Sequence, residues 1–302
     1  MKHLFPGLLL AMFCSACIKE VSLPHPPFEP QWVIFGELIS GQPVRIKIGL
    51  TQHPQDSLPP ALPAQTSVSL WEDEQWVEDL SPGAEGWFEG SHRPQANRQY
   101  RVAVNAPNWP TAIARDQMPA PMPETEGFYQ LTGLLTSYGT AESLSHLQWE
   151  DPEEEANFYE IDISLCNFDF DEIIDPAVLQ EGDNDLYSCT PTAFFSDQSF
   201  EGQKYDFQWR SQCSSCPFLS PTQYPIEAID FRVISEVGYR YRKSLVRHLA
   251  GQQWAPVDVA SLEDWLDVLF LAEPAPLFTN VEQGVGIFMC SHKRNILLPH
   301  RP

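Results

Sequence analysis

The chain has 302 residues, with 43% hydrophobic and 12% aromatic content, which gives room for two ordinary domains with real cores and excludes wholesale disorder. Its formal net charge of −23 repels DNA, RNA and anionic lipid head groups at long range, so no nucleic-acid partner is expected. The 28 prolines outnumber the 16 glycines, pointing to rigid turns and edge strands rather than long helices.

The first element is a signal. Behind Lys2 and His3, Leu4 opens an apolar run that ends in Ser15-Ala16-Cys17. The run is roughly ten residues, half of the about 20 that a bilayer span needs, and has the layout of a secretory leader. Ser15-Ala16-Cys17 looks like the lipobox of a bacterial lipoprotein, in which small residues admit the peptidase and the thiol carries the glyceride. Residues 1–16 are therefore expected to be cut away and Cys17 to be lipidated. Each buried methylene then contributes about 0.8 kcal/mol, so several acyl chains make release into water negligible. Residues 17–30, with four prolines and no periodicity, read as an extended tether. Lys19-Glu20 resembles the short charged signal that sends lipoproteins of the Bacteroidota to the outer face of the outer membrane. The expected location is thus a lipid-anchored position at the cell surface, with the periplasmic face as the alternative.

From Gln31 the pattern turns to β. Trp32–Phe35 and Val44–Leu50 flank a Gly41-Gln42-Pro43 turn, and the second alternates apolar with polar residues. Ser67–Trp71 and Gln75–Val77 flank the acidic turn Glu72-Asp73-Glu74; Gly86–Phe88, Gln99–Val104 and Thr111–Ala114 follow. About seven short strands at this spacing predict a sandwich over residues 31–119, Ig-like or transthyretin-like. The absence of any cysteine between 18 and 165 favours the transthyretin-like form. Met118-Pro-Ala-Pro-Met-Pro123 reads as a linker, and residues 124–302 as a second β-rich domain.

In that second part, Gly127–Leu135, Leu144–Trp149 and Phe158–Leu165 are strand-like, with Asp151-Pro-Glu-Glu-Glu155 as the turn between the last two. Asn167–Asp197 reads as an acidic loop with one short strand near Ala193–Phe195; Lys204–Arg210 and Ile226–Ile234 are strands again. Ser235 caps a predicted helix over 236–250, stopped by Gly251, with an apolar stripe of Val237, Tyr241, Leu245 and Leu249. Arg240, Arg242, Lys243 and Arg247 lie off that stripe and predict an exposed basic face. A second helix is expected over Leu262–Leu271, then closing strands at Gly284–Cys290 and Asn295–Leu298. The fold class is therefore mainly β: an N-terminal transthyretin/Ig-like sandwich followed by a β-rich domain with one or two helices.

Setting Cys14 and Cys17 aside leaves Cys166, Cys189, Cys213, Cys216 and Cys290, an odd set in an oxidising compartment. Cys213-Ser-Ser-Cys216 follows a strand and precedes a proline-rich loop, where no helix dipole would activate a redox pair. Cys166, Cys189, Cys213 and Cys216 are accordingly candidates for structural disulfides, with connectivity open. Asp183 and Asp185, with Asp169, Asp171, Glu172 and Asp175, could supply oxygens to calcium, but the glycine and distal glutamate of an EF-hand are missing. A solvated acidic loop is the favoured reading, and no metal or cofactor is expected. Trp87, Trp109, Trp254 and Trp265 could stack on sugar rings, although most tryptophans are expected in the cores. No nucleophile elbow, zinc-protease helix or phosphate loop is present, so no catalytic residue is assigned.

The lipobox, the early Val/Ile-rich strand, the proline linker, a Phe200-Glu-Gly-Gln203 turn, the Tyr-Arg-Tyr-Arg-Lys helix and a closing Asn280-Val-Glu-Gln-Gly-Val-Gly-Ile-Phe288 occur together. This combination resembles a lipoprotein family of the Bacteroidota catalogued as domain of unknown function 4249. In the family the closing segment tends to read Asn-Ile-x-Asn-Gly-x-Gly-x-Phe; here Val281 and Gln283 replace the Ile and the second Asn. The resemblance implies an outer-membrane lipoprotein encoded beside a TonB-dependent transporter, hence a non-catalytic accessory in capture of an unknown nutrient ligand. A structural or adhesive surface protein, using the sandwich as a spacer, is the alternative; an enzyme with an unrecognised site is the second.

Overall fold

A computed structural model of the chain describes residues 28–53, 56–135, 141–153, 156–163, 171–181, 192–213, 227–252 and 276–301. The fold is mainly β. The first half contributes β1 (Trp32–Ile39), β2 (Arg45–Leu50), β3 (Ser67–Glu72), β4 (Gln75–Asp79), β5 (Ser81–Pro82), β6 (Trp87–Glu89), β7 (Gln99–Asn105) and β8 (Ala112–Gln117). The second contributes β9 (Thr125–Leu135), β10 (Ala141–Glu150), β11 (Phe158–Asp162), β12 (Asp171–Ile173), β13 (Thr192–Ser196), β14 (Lys204–Cys213), β15 (Glu227–Ile234), β16 (Val281–Glu282) and β17 (Gly284–Leu298). Two helices are described, α1 (Pro176–Glu181) and α2 (Glu236–Gln252).

The strands form three sheets. A long one has the order β13-β11-β15-β17-β1-β2-β6-β5, and two shorter ones have β16-β8-β7-β3-β4 and β12-β14-β10-β9. The long sheet is a layer common to two sandwiches. Its β1–β2 end faces the five-stranded sheet across an aliphatic core of Ile34, Ile46, Ile48, Val68, Leu70, Val102 and Val104. Its β11–β15 end faces the four-stranded sheet across an aromatic core of Trp149, Tyr159, Phe195, Phe207, Trp209 and Phe231. The period-2 alternation read from the sequence is the cause: in β2, Ile46 and Ile48 point inward and Arg45 and Lys47 outward.

The 15-residue strand β17 joins the two. Its first half runs parallel to β1, from Trp32↔Gly284 to Ile39↔Ser291, and its second half runs antiparallel to β15, ending at Glu227↔Leu298. Val281, Phe288 and Cys290 thus enter the first core, and Ile296 and Leu298 the second. The closing family-like segment is the corner that makes this possible. Val281–Glu282 pairs with β8 in one sheet, Gln283 turns with φ 58°, and β17 continues in the other sheet. The Asn280 amide donates to the Arg115 and Phe288 carbonyls at 2.8 and 2.7 Å and accepts from Phe288 N–H at 3.0 Å, pinning the corner. Gly286 sits at φ +114°, where a Cβ would lie 2.0 Å from the Ile34 carbonyl oxygen; only glycine allows β1 and β17 to approach so closely.

Helix α2 departs from expectation. It runs through Gly251 to Gln252, within the usual spread of a helix end. Its expected apolar stripe is only partly covered: Val237, Tyr241 and Leu245 are half-buried and Leu249 is 45% exposed, whereas Gly238 and Lys243 are buried. The reason is the surface beneath, which sets Glu37, Glu160 and Arg232 beside the apolar contacts that Ile234, Met289 and Phe158 make with the first turn. Arg242, expected on an exposed basic face, reaches down to Glu160 at 3.0 Å. The Leu262–Leu271 segment lies outside the described residues.

Candidate functional site

Of the residues singled out by sequence, Cys17, Cys166, Cys189, Cys216, Asp183 and Asp185 lie outside the described residues, and Cys213 is described only as the last residue of β14. Cys290 is a buried free thiol whose pKa is pushed up by burial and by the neighbouring Asp116. Asp175 does not sit in an open oxygen cage. Its Oδ1 accepts from Ala177 N–H at 3.0 Å and from Tyr205 O–H at 2.5 Å, so it caps α1. Among the described residues no cluster of three or more metal-binding side chains occurs.

Three arrangements concentrate polar chemistry. The first lies under α2, where Arg232 meets Glu37 at 2.8 Å, Arg242 meets Glu160, and Ser291 donates to Glu37 at 2.7 Å. Glu160 is only 4% exposed; burial raises its pKa while the two arginines oppose that rise. The network seats the helix on the sheet.

The second links the two halves. Asp116 occupies an inward position of β8, next to Ala112 and Ala114 in the alternation, yet it is a carboxylate. Its Oδ2 accepts from Ser235 O–H at 2.5 Å and from Cys290 N–H at 2.6 Å. Ser235 in turn accepts from Gly238 N–H at 3.0 Å, as the N-cap of α2. Burial drives the Asp116 pKa up to about 7 despite these donors. Beside it, a cleft of about 300 Å³ opens between the halves, bordered by Asn97, Pro119, Asn157, Phe158 and Glu236. His292, close to the linker, donates to the Pro119 carbonyl at 3.1 Å, and burial lowers its pKa.

The third is a wide concavity of about 840 Å³ at the foot of the second sandwich, edged by Glu124, Glu126, Glu150, Asp151, Glu153 and Lys204. Carboxylates outnumber the single lysine, so the concavity favours cations over anions. Asp151 braces two turns here. Its oxygens accept from Tyr159 O–H and from Gly202 N–H at 2.9 Å, tying the Asp151 turn to the Phe200–Gln203 turn.

The aromatic candidates sort differently from the sequence reading. Trp87 lies beneath Arg45 at 4.0 Å, and Trp109 packs on Trp32 at 5.1 Å. Trp254 and Trp265 fall outside the described residues. The described tryptophan with an open ring is Trp76, 56% exposed on β4 and paired across strands with Trp71. Alternation in Ser67–Trp71, with Val68 and Leu70 inward, was the available signal that Trp71 and its partner face outward.

A family model described as a domain of unknown function (DUF4249) matches residues 18–296. No curated protein matches the chain. Among solved structures, a crystal structure of a protein described as membrane anchored, from Corynebacterium diphtheriae, is similar at 11% identity with a TM-score of 0.21, covering 70% of this chain. The chain spans about half, 55%, of that protein's length.

Proposed function

The chain belongs to the family described as DUF4249, and from that membership we propose that it is a lipid-anchored lipoprotein of the outer membrane, facing the cell surface. In this reading it serves a TonB-dependent transporter as a non-catalytic accessory in nutrient capture. The observation that carries the proposal is the position of the family match, which begins at residue 18, directly behind the lipobox cysteine Cys17. The proline-rich tether then separates an acidic body from the membrane. Among the described residues no helix is long and apolar enough to cross a membrane.

Two experiments test this. A clickable fatty acid fed to cells should label the parent chain and leave Cys17→Ala unlabelled and released from membranes; label retained by Cys17→Ala overturns the anchor. Affinity purification from detergent-solubilised membranes should recover a β-barrel transporter in stoichiometric amount; recovery of the chain alone overturns the partnership. A structural or adhesive spacer is the second reading. The eight-stranded sheet that runs through both sandwiches favours it, because one continuous hydrogen-bonded layer resists bending between the halves.

A further inference from the structure

The outer face of the five-stranded sheet carries one row of side chains across all its strands. Cross-strand register aligns Trp76 with Trp71, Trp71 with Arg101, and Arg101 with Arg115; Glu282 on β16 completes the row through its ion pair with Arg115 at 2.6 Å. Four inter-strand spacings of about 4.8 Å make the row roughly 19 Å long. One end is aromatic and the other ionic, and the two meet where the Arg101 guanidinium lies 4.2 Å over the Trp71 ring. The Trp76 indole N–H already points to Asp79 at 3.4 Å, so what it offers solvent is its ring surface. Toward the ionic end a groove of about 240 Å³ is edged by Gln99, Arg101, Arg115, Gln117 and Glu74.

We propose that this row is a binding surface for a neutral glycan, one ring stacked on Trp76 and another, further along the row, hydrogen-bonded in the groove. The two arginines of the face are matched, Arg101 with Glu74 at 3.4 Å and Arg115 with Glu282, while the Asp79 carboxylate accepts from Ser69 O–H at 2.6 Å as well as from Trp76. In a chain of net charge −23 this face therefore has no cation left over to recruit an anionic partner, and its one carboxylate outside the ion pairs is already held by two donors. A sugar ring matches both ends, since its C–H face covers an indole and its hydroxyls donate and accept at once. An apolar peptide side chain or lipid tail would strip water from those guanidinium, carboxylate and amide groups without replacing it, at about 1–3 kcal/mol for each group left unpaired. Nucleic acid is opposed by the charge of the whole body. The inference deepens the nutrient-capture reading by naming a ligand class, but it rests on the geometry of this face alone. Binding and transporter partnership can therefore fail separately.

The test titrates the full-length protein in detergent with maltohexaose, cellohexaose, xylohexaose and mannohexaose, and with a hexamer of galacturonic acid, read by tryptophan fluorescence and calorimetry. At least one neutral hexamer should saturate the protein, and Trp76→Ala should weaken it by about tenfold or more with an unchanged melting temperature. Arg115→Ala should weaken binding without altering the fluorescence of the free protein. No saturation by any neutral hexamer at millimolar concentration, binding of the galacturonate hexamer only, or undiminished binding by Trp76→Ala would each overturn the proposal. So would a dimer in light scattering that Trp76→Ala dissociates, which would assign the face to a second copy of this chain.

Discussion

The two sandwiches share a sheet but are filled by different means. The first core is aliphatic, built from Ile34, Ile46, Ile48, Val68, Leu70, Val102 and Val104 in regular alternation. The second is a nest of rings, with Trp149 centred 5.0 Å from both Tyr159 and Phe231 and 6.1 Å from Phe200. Each also buries carboxylates, and here the difference instructs. In the second core Asp151 and Asp175 are each met by a tyrosine hydroxyl and by backbone N–H groups from nearby turns. In the first, Asp116 takes its donors from Ser235 and Cys290, both supplied by the other half of the chain. The aromatic core is thus closed by its own turns, whereas the aliphatic core is completed by long-range contacts.

The largest expected effect comes from emptying the ring nest. Trp149→Ala should cost about 3–5 kcal/mol, against about 1–3 kcal/mol for Val102→Ala in the aliphatic core. Urea denaturation followed by fluorescence and by circular dichroism checks both. Because β17 crosses both cores, one shared transition is expected for each variant; two separated transitions would break the picture of coupled sandwiches.

The Asp116 contact comes next. Its folded pKa, about 7, stands above the ordinary carboxylate value of 3.8, so folding disfavours the charged form. The protonated form is therefore the one the fold prefers. Its contribution to stability is fully present below about pH 4 and is lost progressively as pH rises to about 7, a change on the order of a few kcal/mol. Asp116→Asn should flatten melting temperature against pH through that window. A parent whose stability does not fall between pH 4 and 7 would contradict the buried geometry.

Asn280→Ala removes the three hydrogen bonds that pin the corner between sheets and should cost about 2–3 kcal/mol. Hydrogen exchange should then rise along β16 and the first half of β17, sparing β10 and β14; equal loosening of both sandwiches would dissolve the contrast between them. Smallest is Trp76→Ala, whose open ring should leave unfolding free energy within about 0.5 kcal/mol of the parent. A larger loss would mean that this indole packs as core rather than waits for a ligand.

Much of the scaffold was legible in the chain. Alternation in Arg45–Leu50 and Ser67–Glu72 placed Ile46, Ile48, Val68 and Leu70 inward, because a strand's two faces are fixed by local geometry alone. The same rule held the signal for an outward Trp71, which the reading of most tryptophans as core passed over, and it could not say that Trp76, Arg101 and Arg115 would fall into one line with it. The helix at 236 was marked by its Ser235 cap, but its seating was not. Which face a helix buries depends on what lies beneath, and the sheet offers carboxylates to Arg242 instead of a greasy floor for Leu249.

Sequence by itself determined the β-rich character, the lipobox-like Ser15-Ala16-Cys17 pattern, the proline-spaced stretch before residue 124, and the family-like closing segment. Each is a local pattern, set within a few residues by side-chain period, turn chemistry or peptide-bond restraint. Tertiary structure decided that the closing segment is a corner carrying β17 from one core into the other. It also decided that Asp116 meets partners 119 and 174 residues away, and that a tryptophan–arginine row crosses five strands. Those facts depend on which strands become neighbours and in what register, and that is fixed by the packing of whole sheets rather than by any stretch of chain.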